Sequence, residues 1–294
     1  HVEGQRADYL PNRNAEAFRG VAIAARSGEG KVNGHAHATA AVVYGPQGLA
    51  PGIGKVDCYN VPDFLGSGLL NTNAATGPVT HGQSVFNHSW VGRNLANVGD
   101  ALRRIDYVID TYDTIMVVGV DNGRSSRVPA LLSSAYNVIA VGEWHGNSSG
   151  GYTLVETLGR CKPDIVAPGG LTSYATPVVT AAVARLLETA IMLDAAAKAS
   201  RAEVIKAVVL AGATKPEHWQ PESGKPLDDH LGAGRLNLDL SHTVLSAGPP
   251  RAYPTANRFG WEFAQLEPDR THTYCLDLSA PMAELSLVLV WHRR

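Results

Sequence analysis

Lys162-Pro163-Asp164-Ile165-Val166-Ala167-Pro168-Gly169 and, just beyond it, Thr172-Ser173-Tyr174-Ala175-Thr176-Pro177 decide the fold of this 294-residue chain. The first is a short apolar run closed by a Pro-Gly break. The second opens a stretch in which Val178, Val179, Ala182, Val183, Leu186, Leu187 and Ile191 recur at helical spacing, so a helix is predicted from about Thr176 to Leu193. Pro177 then falls in the first helical turn, where its missing N–H costs little. Ser173 stands at the helix N-terminus, among free backbone N–H groups and at the positive end of the helix dipole. Those features favour an oxyanion forming beside it. A plain Ser/Thr cap is the commoner role of such a serine, so this feature needs companions.

Working outward, Val56 to Val61, Ser84 to Trp90, Thr114 to Val120 and Tyr136 to Gly142 are near-continuous apolar runs. Parallel strands covered on both faces read this way. Helical patterns lie between them, at Leu95 to Ile109 and again at Arg201 to Leu210. Alternating strand and helix predicts an α/β, doubly wound, mostly parallel sheet with helices on both faces. Beyond Gly248-Pro249-Pro250 the texture changes. Thr271 to Leu278 and Glu284 to Trp291 alternate like antiparallel strands, so the expected division is a main domain over 1–247 and a small C-terminal β region, of sandwich or jelly-roll type, over 248–294.

The bulk numbers exclude several classes. A net charge of −2, with charges scattered along the chain, gives no electrostatic footprint for nucleic acid. No apolar stretch reads as the roughly 20 residues that cross a bilayer. The three cysteines, Cys58, Cys161 and Cys275, have no metal spacing and suggest no disulfide framework. His1 to Arg6 form no signal peptide and look like the end of a core strand, so a leader is expected upstream.

The quoted pair of segments resembles the signature of subtilisin-like (S8) serine peptidases, in which KPDIVAPG precedes GTS-x-A-[ST]-P. Other landmarks follow in that family's order over roughly residues 1–245. Gly34-His35-Ala36-His37-Ala38-Thr39-Ala40 resembles the histidine motif, and Leu49-Ala50-Pro51-Gly52 the turn after it. Asn87-His88-Ser89-Trp90 resembles the substrate-side strand. Val118-Gly119-Val120-Asp121-Asn122-Gly123 resembles the turn that supplies an oxyanion-hole asparagine. Gly232-Ala233-Gly234-Arg235-Leu236-Asn237 resembles the closing segment.

The resemblance implies a serine endopeptidase with Ser173 as nucleophile, a histidine as base, a carboxylate orienting it, and an amide holding the oxyanion. For the acid, the family's aspartate position holds Glu3, 32 residues before His35, with Asp8 as the alternative. For the base, His35 leaves small Ala40 and Ala41 where a close-packed pair belongs, whereas His37 carries the Ala-Thr that mimics the usual motif. His35 is favoured and His37 stays open. For the oxyanion, the family register falls on Asp121, whose carboxylate would oppose a developing negative charge. A one-residue shift gives Asn122. Leu171 replaces the glycine usual before Thr172. The resemblance also puts Ser89, Trp90, Gly92, Val118 and Gly119 along a substrate cleft.

It implies a peptide or protein substrate, no required cofactor and no nucleic-acid partner. A monomer is expected, exported to a secreted or periplasmic location. Structural calcium is common in the family, but no Asp/Asn-rich loop here has a ligand pattern, so metal binding is left open. Two other readings follow from the departures. Glu3, Asp121 and Leu171 together suit an impaired fold kept for binding or as a scaffold. His35-x-His37, with His81, His88 and His145, suits a metal-dependent amidohydrolase barrel.

Overall fold

The computed structural model describes residues 1–92, 98–153, 155, 160–193, 198–249, 258–274 and 283–293. Its strands are β1 (Asp8–Leu10), β2 (Ala22–Ala25), β3 (Lys31–Val32), β4 (Lys55–Cys58), β5 (Val85–His88), β6 (Ile115–Gly119), β7 (Ile139–Glu143), β8 (Gly151–Tyr152), β9 (Cys161–Lys162) and β10 (Ile165–Ala167). Its α-helices are α1 (Gly34–Val43), α2 (Val61–Gly66), α3 (Val98–Tyr112), α4 (Thr172–Leu193), α5 (Ala202–Ala211) and α6 (Leu238–Ala247).

Strands β10, β7, β6 and β5 lie side by side in that order, all parallel. Every residue of β6, β7 and β10 is buried, as an all-parallel sheet covered by helices requires. A second parallel pair, β2 and β4, stands beyond β5. Val2 joins the two, bridging His88 on one side and Tyr59 on the other. Its N–H donates to the Asn87 carbonyl at 3.0 Å. The Tyr59 N–H donates to the His1 carbonyl at 3.0 Å, and the Glu3 N–H to the Tyr59 carbonyl at 3.1 Å. The order β10-β7-β6-β5-Val2-β4-β2 reverses direction at Val2. This is the doubly wound α/β arrangement read from the sequence.

Helix α4 packs along β5, β6, β7 and α1. At 22 residues it has the length and hydropathy of a membrane-crossing segment, which corrects the reading that no such stretch exists. Its composition follows from its place in the fold: Ala175, Val179, Val183 and Leu186 are all buried in the main core. The helix begins at Thr172, four residues earlier than predicted, so Pro177 sits in its second turn. There it leaves the Ser173 carbonyl without an i+4 N–H donor. Helix α3 buries Ala101, Leu102, Ile105, Val108 and Ile109, the predicted stripe; Leu95, at the start of that predicted helix, lies outside the described residues. From α3, Arg104 donates to four carbonyls of one loop, those of Leu70 (3.1 Å), Asn71 (2.9 Å), Ala74 (2.9 Å) and Thr76 (2.7 Å).

The C-terminal expectation changes most. Helix α6 ends at Gly248, whose φ of +70° suits a residue without a Cβ. Residues 258–274 and 283–293 contain no strand, so neither 271–274 nor 284–291 is the β-strand predicted; 275–278 lie outside the described residues. Alternation prepares a chain for a sheet but cannot supply the neighbour whose N–H and C=O groups complete it. Leu285, Leu287, Leu289 and Trp291 are correspondingly exposed. The segment is held by polar contacts instead, with Arg293 and Asn137 exchanging two hydrogen bonds at 2.9 and 3.0 Å.

Asp164, from the quoted signature, anchors the sheet. Its carboxylate accepts from the Ala140 N–H at 2.7 Å and pairs with Lys162 at 2.8 Å, with Lys206 4.0 Å away. Burial works against its ionisation, but the two lysines and the Ala140 N–H hold its pKa below the usual carboxylate value. Burial likewise pulls the Lys206 ammonium down to about 8. Replacing Asp164 by Asn keeps the shape and strands two buried cations. The expected loss is about 3–5 kcal/mol of unfolding free energy in urea titration. A change below about 1 kcal/mol would show that the anchor is not ionic.

Candidate active site

The carboxyl ends of adjacent parallel strands gather the polar residues. Glu3 follows Val2, Ser89 follows β5, and Asn122 lies three residues past β6. In doubly wound sheets the crevice outside these ends, at the point where strand order reverses, is where ligands bind.

Helix α1 brings the histidine. Asn33 caps it, its side-chain oxygen accepting from the His35 N–H at 2.8 Å and the Ala36 N–H at 3.0 Å. His35 Nδ1 lies 3.0 Å from Oε2 of Glu3, a carboxylate only 3% exposed. That hydrogen bond raises the His35 pKa above its ordinary value near 6.5, partly offset by burial and assisted by the charge of Glu3. Thr39, one turn further along α1 and fully buried, places its hydroxyl 3.5 Å from the other Glu3 oxygen, Oε1, and 3.0 Å from the His35 carbonyl, so its single proton can serve either one. The extra methylene of a glutamate is thus accommodated by gripping both carboxylate oxygens from one helix.

The alternatives lie elsewhere. His37 packs edge-on against Phe18 with ring centroids 5.1 Å apart, and its Nδ1 accepts from the Asn12 N–H at 3.4 Å. Asp8 is exposed on β1, paired across to Lys31. Neither meets the Glu3–His35 pair.

Ser173 is the second residue of α4. Its hydroxyl donates to the Ser89 carbonyl at 3.3 Å, and the ring of the next residue, Tyr174, lies 6.1 Å from that of His35. Asn122 faces the same helix start: its Oδ1 accepts from the Thr172 N–H at 2.9 Å and from the Thr172 hydroxyl at 3.1 Å. A backbone N–H can only donate, so this contact fixes the amide with oxygen toward Thr172 and the Nδ2 donor on the other side. Asp121 is instead buried and engaged through its backbone, its N–H donating to Ser149 Oγ at 3.0 Å. Leu171 carries no strain, because the left-handed residue of the turn is Gly170 (φ +67°) and the leucine side chain points outward.

The expected cleft residues divide. Ser89 offers its carbonyl, and Gly92 exchanges two backbone hydrogen bonds with Leu131 at 3.0 and 2.9 Å. The Trp90 indole donates to His88 Nδ1 at 3.3 Å. Val118 is fully buried in the core, and Gly119 lies under α4, where a Cβ would stand 2.9 Å from Thr176 Oγ1. Any contact these two make with a ligand would therefore be through backbone. His88 is fully buried among Phe64, Phe86 and Trp90, and burial pushes its pKa well below the ordinary value. It is a core residue, and the doubly wound sheet leaves no eightfold barrel for a metal-dependent amidohydrolase.

Asn33, Thr39 and the Thr172 clamp escaped the sequence reading. Asn33 had a signal, an Asn directly before a helix start. Thr39 had none, because its partner lies 36 residues away.

The sequence matches the subtilase family over residues 20–234, and the chain belongs to that family of S8 serine peptidases. Its fold is similar to that of the prenylagaramide maturation protease PagA, with TM-score 0.57 and 18% identity over 80% of this chain and 90% of that one. It is also similar to the patellamide maturation protease PatG, with TM-score 0.58 and 14% identity over 84% and 90%. A cold-adapted subtilisin-like serine proteinase gives TM-score 0.51 and 17% identity over 78% and 84%. At such identities the likeness is one of fold. Comparison with curated protein sequences gave no match.

Because the Asn33 cap sets the start of α1, Asn33→Ala is expected to cost about 1 kcal/mol of stability. Thermal or urea denaturation reads this directly; an unchanged midpoint would show that the cap is dispensable.

Proposed function

We propose that this chain is a serine endopeptidase in which Ser173 attacks the substrate carbonyl, His35 is the general base, Glu3 orients it, and Asn122 Nδ2 with the Ser173 N–H receives the oxyanion. The observation that carries the reading is the 3.0 Å contact between His35 Nδ1 and buried Glu3. With Nδ1–H donated to Glu3, the proton acceptor is Nε2, the nitrogen left for a serine hydroxyl. The step requires Ser173 Oγ to leave the Ser89 carbonyl and donate to Nε2, a hydrogen bond that in apo sites is often formed only with substrate. Attack forms a bond between Ser173 Oγ and the carbonyl carbon while the Oγ proton passes to His35 Nε2. The C–N bond then breaks, the amine leaves with that proton, and an ester on Ser173 remains. Water then hydrolyses the acyl-enzyme by the same base. An oxyanion donor of the Asn122 kind is worth roughly 10²–10³ in rate. Thr39 is a positioning residue, acting through Glu3.

A fluorophosphonate probe tests the reading. Label is expected on Ser173 by peptide mass spectrometry, absent in Ser173→Ala, lost in His35→Ala and retained in His37→Ala. Well-folded protein that takes no label would favour the scaffold reading raised by Glu3, Asp121 and Leu171.

The pH dependence follows from the raised His35 pKa. The base must be neutral, so the acid limb of kcat/KM is expected above the ordinary histidine value near 6.5. Glu3→Gln removes the group that raises it. The limb should then move to lower pH, while kcat/KM falls by roughly 10³–10⁴. An acid limb that does not move would separate Glu3 from the base.

A further inference from the structure

Away from the Ser173 crevice, three elements converge on a second cluster. Asp110 comes from α3, Glu203 from the first turn of α5, and His292 from the C-terminal segment. One donor atom of each lies within 4.8 Å of the others. His292 Nδ1 stands 3.3 Å from Glu203 Oε1 and 3.6 Å from Asp110 Oδ1.

The imidazole is the unusual member. Its side chain is only 2% exposed, yet among the described residues neither ring nitrogen has a hydrogen-bond partner, and Glu203 Oε2 is also buried without one. Buried polar atoms are normally satisfied, and one left over calls for an explanation such as an ion. Of the cations nearby, one touches the cluster at a single carboxylate oxygen, Glu203 Oε1, and the other is bound to backbone carbonyls. Arg201 is shared between Glu203 (3.5 Å) and Asp113 (3.6 Å), and Lys206 donates to the Tyr136 and Val138 carbonyls at 3.1 and 2.8 Å. The spacing has a metal-site signature. Ligands about 2.0–2.2 Å from a tetrahedral zinc stand about 3.3–3.6 Å from one another. A nitrogen ligand with two carboxylates suits zinc better than calcium, which takes oxygen alone and more of it.

We propose that Asp110, Glu203 and His292 form a binding site for a divalent cation of the zinc type, which fastens the C-terminal segment to α3 and α5. The site is structural, supplied by three protein ligands with a fourth position for water. It does not rest on the peptidase reading, since it shares no residue with the Ser173 crevice.

The test uses the full chain, stripped with EDTA and titrated with Co²⁺. One equivalent is expected to produce the strong visible bands of four-coordinate cobalt, which added Zn²⁺ then displaces. The melting temperature should rise with metal. His292→Gln should abolish the one-equivalent band and the thermal shift, while fluorophosphonate labelling of Ser173 stays as in the parent. Absence of saturable binding, or binding undiminished by His292→Gln, overturns the assignment. X-ray absorption on the zinc-loaded parent protein decides without any variant. One imidazole with oxygen ligands is expected, and two or more imidazoles, or any sulfur, would place the metal elsewhere.

Discussion

Two half-sheets, β10-β7-β6-β5 and β4-β2, share no strand pairing among the described residues, and the backbone of Val2 is what makes them one surface. Its N–H bonds to one half, and the peptide groups on either side of it bond to the other. The same insertion fixes the chemistry. Once Val2 is in register, Glu3 must emerge at the carboxyl end of the sheet, under helix α1 and next to His35. A shift of one residue would turn the carboxylate to the opposite face of the sheet, and the imidazole would lose its partner. The position of an acid in this family's fold is therefore a backbone property before it is a side-chain property. This is why a glutamate can stand where an aspartate is usual, provided something holds its longer arm. Thr39 does so.

The electrostatics around this seam are layered. Ionic groups that must be buried, such as Asp164 with Lys162 and Lys206, gather at the start of β10 and brace the backbone through the Ala140 N–H. At the crevice, buried Glu3 is the carboxylate that meets the imidazole. Asp121 is buried too, in a turn where its N–H bonds to Ser149, and Asn122 is the residue that meets Thr172. One residue of register in that turn thus separates a site that would repel an oxyanion from one with an amide at hand.

How much of this was legible in the sequence depends on how far apart the interacting residues lie. The buried parallel strands and the helix after Ser173 were readable because each carries its environment in its own periodicity. The sequence favoured His35 over His37 through small Ala40 and Ala41 further along the helix, and in the structure it is His35 that meets Glu3. The C-terminal strands were misread for the opposite reason. Alternation in Glu284 to Trp291 records one face of a ribbon, whereas strand formation depends on a neighbour that periodicity does not name. For Val118 the motif gives position along the chain, not which side of the sheet its side chain enters, and that side is the core. The Thr39 grip and the Asp110–Glu203–His292 cluster join residues tens to well over a hundred positions apart and leave no local trace.

Arg104 carries a consequence of a different kind. A polypeptide is cut by a peptidase only when several consecutive residues pull free and lie extended in the crevice, so a loop's susceptibility is set by the free energy of its local opening. The loop from Leu70 to Thr76 is partly exposed and rich in small polar residues, a natural place for nicking. One guanidinium holds four of its carbonyls and is itself fixed to Asp100 at 3.1 Å. Opening any part of the loop means breaking charge-assisted bonds together instead of one at a time. Such a clamp makes the loop open as a unit or not at all, and so turns an exposed polar stretch into a poor target for any peptidase.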